Sequence, residues 1–165
     1  MTIPGSTLKA SRIGRAQFQD LIARLPGLFG ELVSASPLDR QRKPLPQVAG
    51  VYLFTEGDTP MYVGQTRKLR QRIANHVRPS SAESQATYAF FLALKEMGQV
   101  GLASRRGTRV HLTLDPDFSK VFASMKQRVA RMDVRFVQVD DPELRTVFEV
   151  YASALLGTMN SFDTH

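Results

Sequence analysis

The chain has 165 residues, 42% of them hydrophobic, with no cysteine and a formal charge of +7. That length suits one domain with a real core, and the lack of cysteine excludes disulfides and thiolate metal sites. No apolar run reaches the roughly 20 residues a membrane span needs, and Met1–Ser6 lacks the charged-then-apolar layout of a secretory signal. A cytoplasmic protein with no membrane partner is therefore expected. The charge is uneven. Residues 1–47 hold seven Lys/Arg against three acids and residues 48–78 hold five against two, whereas residues 132–165 hold two against six. The first half is the candidate surface for a polyanion; a solvated basic face is the bland alternative.

In chain order, residues 1–10 read as a tail. Ser11–Leu25 reads as a helix with Ile13, Phe18, Leu21, Ile22 and Leu25 on one side, stopped by Pro26-Gly27. Residues 34–47, rich in Pro and Arg, read as an extended connection. Gly50–Thr55 and Pro60–Gly64 are strands, with Glu56-Gly57-Asp58 as the turn of a β-hairpin. Arg67–Val77 is a helix with Leu69, Ile73 and Val77 inward, and residues 83–98 are another. Arg109–Leu114 reads as a strand. Asp115 caps a helix running to about Met132, Val134–Val139 is a strand, and Asp141 caps a last helix ending at Leu156 before Gly157. The pattern predicts an α+β fold: a small antiparallel three-stranded sheet flanked by helices, with an N-terminal helix and an inserted helical segment. The expected division is 1–47, helix and basic connection, and 48–165, the principal domain with its insertion around 79–131.

A three-residue loop at 56–58 pairs Tyr52 with Tyr62 and puts Tyr52, Phe54 and Tyr62 on one face. Cross-strand tyrosines are usually packing. Arg72 and His76, four apart, share a helix face beside the apolar stripe. Arginine there offers a fork that suits phosphate, while a snorkelling Arg and a satisfied boundary His are the plain readings. Along the last helix Leu144, Val147, Phe148, Tyr151 and Leu155 form the core stripe, and periodicity alone points Glu149 away from it. Asp140 and Asp141 read as caps. His111 reads as packing or surface. Asp163 and His165 lie near the end of the chain.

Gly50-Val51-Tyr52, the ten-residue step to Tyr62-Val63-Gly64, and then Arg72 and His76 together resemble the GIY-YIG nuclease family, with Val for Ile in each tripeptide. The resemblance extends to a Glu on a late helix, Glu149, and an Asn soon after it, Asn160. It covers residues 48–78 and 132–165. It implies a metal-dependent DNA endonuclease with Tyr52, Tyr62, Arg72, His76, Glu149 and Asn160 as catalytic residues on one surface cleft. Glu149 would hold Mg²⁺ (or Mn²⁺), beside small neighbours Ala152 and Ser153; a single carboxylate suits a cation that keeps most of its waters. Arg72 would neutralise phosphate, and Tyr52 would be the base or position the water. A phenol of pKa near 10 needs help for that, from Arg72, the metal or neutral His76. Tyr62 would position phosphate or water, and Asn160 would hold the geometry.

DNA is the expected partner. Arg40, Arg42 and Lys43 in the connection, with Arg67, Lys68 and Arg70, are the candidate phosphate contacts. One small domain cuts both strands only as a dimer or in two events, so nicking is expected, with at most a transient homodimer. The rivals are a nucleic-acid-binding module of the same fold that no longer cuts, and a structural or regulatory domain with a basic face.

Overall fold

The computed structural model describes residues 12–40, 44–102 and 108–158. A long helix, α1 (Arg12–Ser34), leads into strands β1 (Gly50–Glu56) and β2 (Thr59–Thr66), then helices α2 (Leu69–Val77) and α3 (Thr87–Glu96). A 3-10 turn at Val100–Leu102 and helices α4 (Thr108–Leu114) and α5 (Pro116–Arg131) follow, then strand β3 (Asp133–Gln138) and helix α6 (Pro142–Leu155). The three strands form one antiparallel sheet in the order β2-β1-β3, flanked by helices as the α+β pattern predicts.

The sheet has two apolar faces because side chains alternate along each strand. Tyr52, Phe54, Tyr62 and Val134 face a core filled by α2, α3 and α5. Val51, Leu53, Val63 and Val137 face the other way, onto Leu25 and Leu32 of α1 and Leu144, Phe148 and Ala152 of α6. The N-terminal helix thus packs on the same sheet as the rest of the chain, and the segment 79–131 supplies most of the cover for the tyrosine face.

Three expectations are corrected. First, α1 does not stop at Pro26; it continues through Pro26-Gly27 to Ser34. Proline in a helix interior costs about 3 kcal/mol. That cost is offset by a buried stripe that runs on: Leu25 and Leu32 are buried, and Leu21, Leu28 and Phe29 pack beside them. Phe18 and Ile22 are exposed instead, and the side chain of Ile13 lies outside the described residues. Arg135 of β3 donates to the carbonyls of Val33 and Ala35, which holds the end of the helix.

Second, Arg109–Leu114 is helical, not a strand. Alternating Val110, Leu112 and Leu114 mimic a strand over so short a run. In the fold the segment packs on α5 as a helix; Leu112 packs on the core, while Val110, His111 and Leu114 are exposed.

Third, the hairpin register differs. Glu56 pairs with Thr59 and Thr55 with Pro60, so the turn is two residues, Gly57-Asp58. Gly57 has φ +57°, the positive φ at the first turn position that a II′ turn needs. The register then shifts, and Phe54 faces Tyr62 while Tyr52 faces Gly64. Met61 is the extra residue, next to a proline that could not have donated to the ladder. Tyr52 and Tyr62 are therefore diagonal rather than opposite, yet still on one face.

The two aspartate caps form as read. Asp115 accepts from the backbone N–H of Asp117 and Phe118, and Asp141 from that of Leu144. Gly157, at φ +68°, ends α6.

Candidate active site

The register brings Tyr52 across Gly64. A Cβ built on Gly64 would overlap the Tyr52 phenol oxygen and lie 2.8 Å from Tyr62 Cε1. Only glycine leaves room for the phenol to cross the neighbouring strand there, so the third residue of the second tripeptide has a steric reason.

Helix α2 starts where Leu69 is tied to the segment just before β1, its N–H donating to the Val48 carbonyl. One turn on, Arg72 reaches the tyrosine face. Its Nε donates to the Tyr52 hydroxyl at 3.2 Å, one Nη to the Gln85 carbonyl at 3.1 Å and the other to Thr87 Oγ1 at 3.1 Å. A further turn on, His76 Nε2 lies 2.7 Å from the Tyr52 hydroxyl, sharing one proton with it. The His76 ring is boxed in by Tyr52, Phe54 and Tyr62, with centroids 5.3–5.8 Å away, and its Nδ1 has no hydrogen-bond partner. Tyr62 stacks on Tyr88 at 4.5 Å, and Tyr88 donates to the Met61 carbonyl at 3.1 Å.

Glu149 enters from the opposite layer, on α6. It is buried, and Oε1 accepts from the Gln65 backbone N–H at 3.0 Å. Its charge acts on both Tyr52 and Tyr62. The face of α6 that periodicity assigned to solvent lies against the edge of β2, a second buried stripe invisible to a single-stripe reading. Arg145, one turn before Glu149, is also buried, donating to Gln65 Oε1 and to the Val139 and Asp140 carbonyls.

The electrostatics follow from burial. Burial pushes the Tyr52 phenol far up, Tyr62 and Glu149 add to this, and Arg72 opposes it. Burial also raises Tyr62. Burial, then the Arg72 charge, holds His76 well below the usual imidazole range, so the ring is neutral at pH 7. For Arg72 itself burial works against the charge, but the two phenols outweigh it and its pKa is raised.

Among the described residues the expected site lies below the surface: Tyr52 and His76 are 0% exposed, Tyr62 2% and Glu149 5%, with Arg72 partly open. Two surface grooves lie elsewhere, one between α1 and the start of α6, the other between α2 and residues Leu38, Pro44 and Leu45 of the connection. Asn160 lies outside the described residues, as do Asp163 and His165. Among the described residues no three His, Asp or Glu gather into a metal cluster. One buried carboxylate beside the orphaned hydroxyl of Ser153 fits only a hard cation that keeps its own waters.

Of the expected phosphate contacts, Arg67 and Lys68 are exposed. Arg70 is exposed, but its Nε donates to the Leu45 carbonyl at 2.6 Å. The Arg40 guanidinium donates to the Ala130 and Met132 carbonyls, pinning the connection to the α5–β3 junction. Arg42 and Lys43 lie outside the described residues. Sequence reasoning missed Gln85 and Thr87, whose role depends on a turn bringing α3 back over α2; no local pattern marks them.

Residues 48–121 match the family model described as the GIY-YIG catalytic domain, which covers Tyr52 to His76 but ends before β3 and α6. The chain is also 38% identical over 39 residues to "UvrABC system protein C" of Aquifex aeolicus (strain VF5), a match spanning 24% of this chain and 7% of that protein. No solved structure matches significantly.

Proposed function

We propose that the protein is a metal-dependent endonuclease that hydrolyses phosphodiester bonds in DNA, one strand at a time. The observation that carries this reading is the buried hydrogen-bonded row Arg72–Tyr52–His76, with Glu149 close enough to act on both tyrosines.

A phenol raised this far is not ionised at pH 7 and makes a poor base alone. The neutral imidazole supplies what it lacks. Tyr52 takes a proton from the attacking water while its own proton passes to His76 Nε2, so no tyrosinate accumulates. The hydroxide forms a bond to phosphorus and the ester oxygen leaves. Arg72 stays charged and offers its guanidinium charge to the phosphate as charge builds there. Tyr62, stacked on Tyr88, fixes the wall against which phosphate and water sit, and Asn160 would hold the site's geometry. Glu149 would hold Mg²⁺ or Mn²⁺, which when bound neutralises phosphate charge and lowers the pKa of its water. Arg67, Lys68 and Arg70, with Arg42 and Lys43, take DNA phosphates nearby. Residues 48–165 act as the nuclease unit, in the cytoplasm, as a monomer or a transient homodimer.

The complete burial of Tyr52 and His76 favours a second reading, a nucleic-acid-binding module of the same fold that does not cut. Supercoiled plasmid incubated with Mg²⁺ or with EDTA separates the two. Nicking with Mg²⁺ that disappears in EDTA and in Glu149→Gln supports the nuclease; a mobility shift with no nicking in either condition selects the binding module.

A further inference from the structure

We propose that Thr87 is a positioning residue for Arg72: with the Gln85 carbonyl, its hydroxyl fixes the plane of the guanidinium against the Tyr52–His76 pair. This rests on the nuclease reading above.

A guanidinium carries five N–H donors in a rigid fork, and an arginine side chain has many rotamers from which to aim it. Here three of the five are committed, one from each nitrogen, to Tyr52, Gln85 and Thr87. Three acceptors on two separate elements over-determine the plane. The remaining N–H groups lie on the side of Tyr62, whose hydroxyl also bonds to the guanidinium.

Thr87 is buried, 7% exposed, at the first position of α3. A β-branched side chain in a helix has few χ1 choices, so Oγ1 points where the helix points it. The helix start is fixed in turn. Lys126 of α5 is buried; its amine donates to the Pro79 and Ser81 carbonyls at the turn leading into α3. The Gln85 side chain closes that turn by accepting from the Ala82 N–H at 3.2 Å. On the far side of Thr87, Tyr88 is stacked on Tyr62. Consecutive residues of α3 therefore register against the arginine and against a tyrosine of the site. The segment 79–131 thus has a catalytic consequence as well as a packing one: α5 holds the turn, the turn sets α3, and α3 aims Arg72.

Precise aim matters most where charge builds in the transition state. Thr87→Val keeps the shape and removes the acceptor; Thr87→Ser keeps the acceptor. Single-turnover nicking of plasmid in Mg²⁺ at saturating protein should slow by about tenfold or more in Thr87→Val, the range for losing a hydrogen bond to a charged group. DNA affinity should be unchanged, and Thr87→Ser should recover the rate. Independently of cutting, the Nε–H resonance of Arg72 in ¹⁵N-labelled full-length protein should shift and exchange faster with water in Thr87→Val. A wild-type rate in Thr87→Val, a loss in Thr87→Ser equal to that in Thr87→Val, or an unchanged Arg72 resonance would overturn the proposal. If the wild-type protein does not nick at all, the nuclease reading fails; a resonance that still responds to Thr87→Val and recovers in Thr87→Ser would support the clamp by itself.

Discussion

Gly64→Ala is the smallest change that should disturb both the fold and the site. The backbone at Gly64 does not have positive φ, so the added methyl is opposed only by what already occupies its space. That space holds the Tyr52 ring, with Cζ 2.5 Å from the would-be Cβ, and the Tyr62 ring, with Cε1 at 2.8 Å. Neither is a flexible tip. Tyr52 is fixed by Arg72 and His76, and Tyr62 by its stack on Tyr88. Overpacking of this kind costs about 1–3 kcal/mol. For a chain of this size that corresponds to roughly 2–12 °C in Tm. Gly30, exposed in the second half of α1 with nothing within 4 Å of a built Cβ, is the control. Gly30→Ala should gain about 0.5–1 kcal/mol from reduced unfolded-state freedom and better helix propensity. Thermal and urea unfolding would compare the three proteins, with plasmid nicking run beside them. A Gly64→Ala protein that melts at or above the wild-type temperature would refute the crowding around Gly64, and with it the placement of Tyr52 across β2.

Further outcomes follow from the same contacts. Arg40→Ala should lower stability by about 1–3 kcal/mol through two lost hydrogen bonds from a charged group and leave DNA affinity near wild type; weaker DNA binding at unchanged stability would mean that Arg40 contacts phosphate after all. The buried neutral His76 titrates in the unfolded chain near 6.5 and in the fold well below it, so between those values the unfolded chain binds more protons and stability falls as pH drops. His76→Gln should make that acid limb shallower, and an identical slope in chemical unfolding would contradict the burial. At the other end, Tyr52 ionises in the unfolded chain near 10 and in the fold far above it, so stability should fall again as pH rises past 10. The Glu56–Arg128 pair, bonded at 2.7 and 2.8 Å but over a third exposed, should show a double-mutant coupling of about 0.2–1 kcal/mol that shrinks in high salt; a larger, salt-insensitive value would be unexpected.

Elements whose signals are local are legible in the residues themselves. Asp115-Pro116 and Asp141-Pro142 start helices because a side-chain carboxylate satisfies orphan N–H groups and proline tolerates the first position. Alternation in β1 and β2 put Tyr52, Phe54 and Tyr62 on one face, and this survived the register error because a shift of two residues preserves the face. The four-residue spacing of Arg72 and His76 placed both beside the tyrosines. Tertiary structure decided what depends on a distant surface. Pro26 could be carried inside α1 only because the sheet and α6 bury the helix on both sides of it. Residues 109–114 form a helix that packs on α5, a partner that alternation within six residues does not reveal. Glu149 looked solvent-facing because periodicity sees one stripe of a helix, whereas α6 packs on two partners and the second, the Gln65 edge of β2, is 84 residues away in sequence. Arg40 read as a free cation until the fold brought two carbonyls to it from about 90 residues on. Local chemistry writes itself into neighbouring residues, while the partner of a long charged side chain is set only when the chain closes on itself.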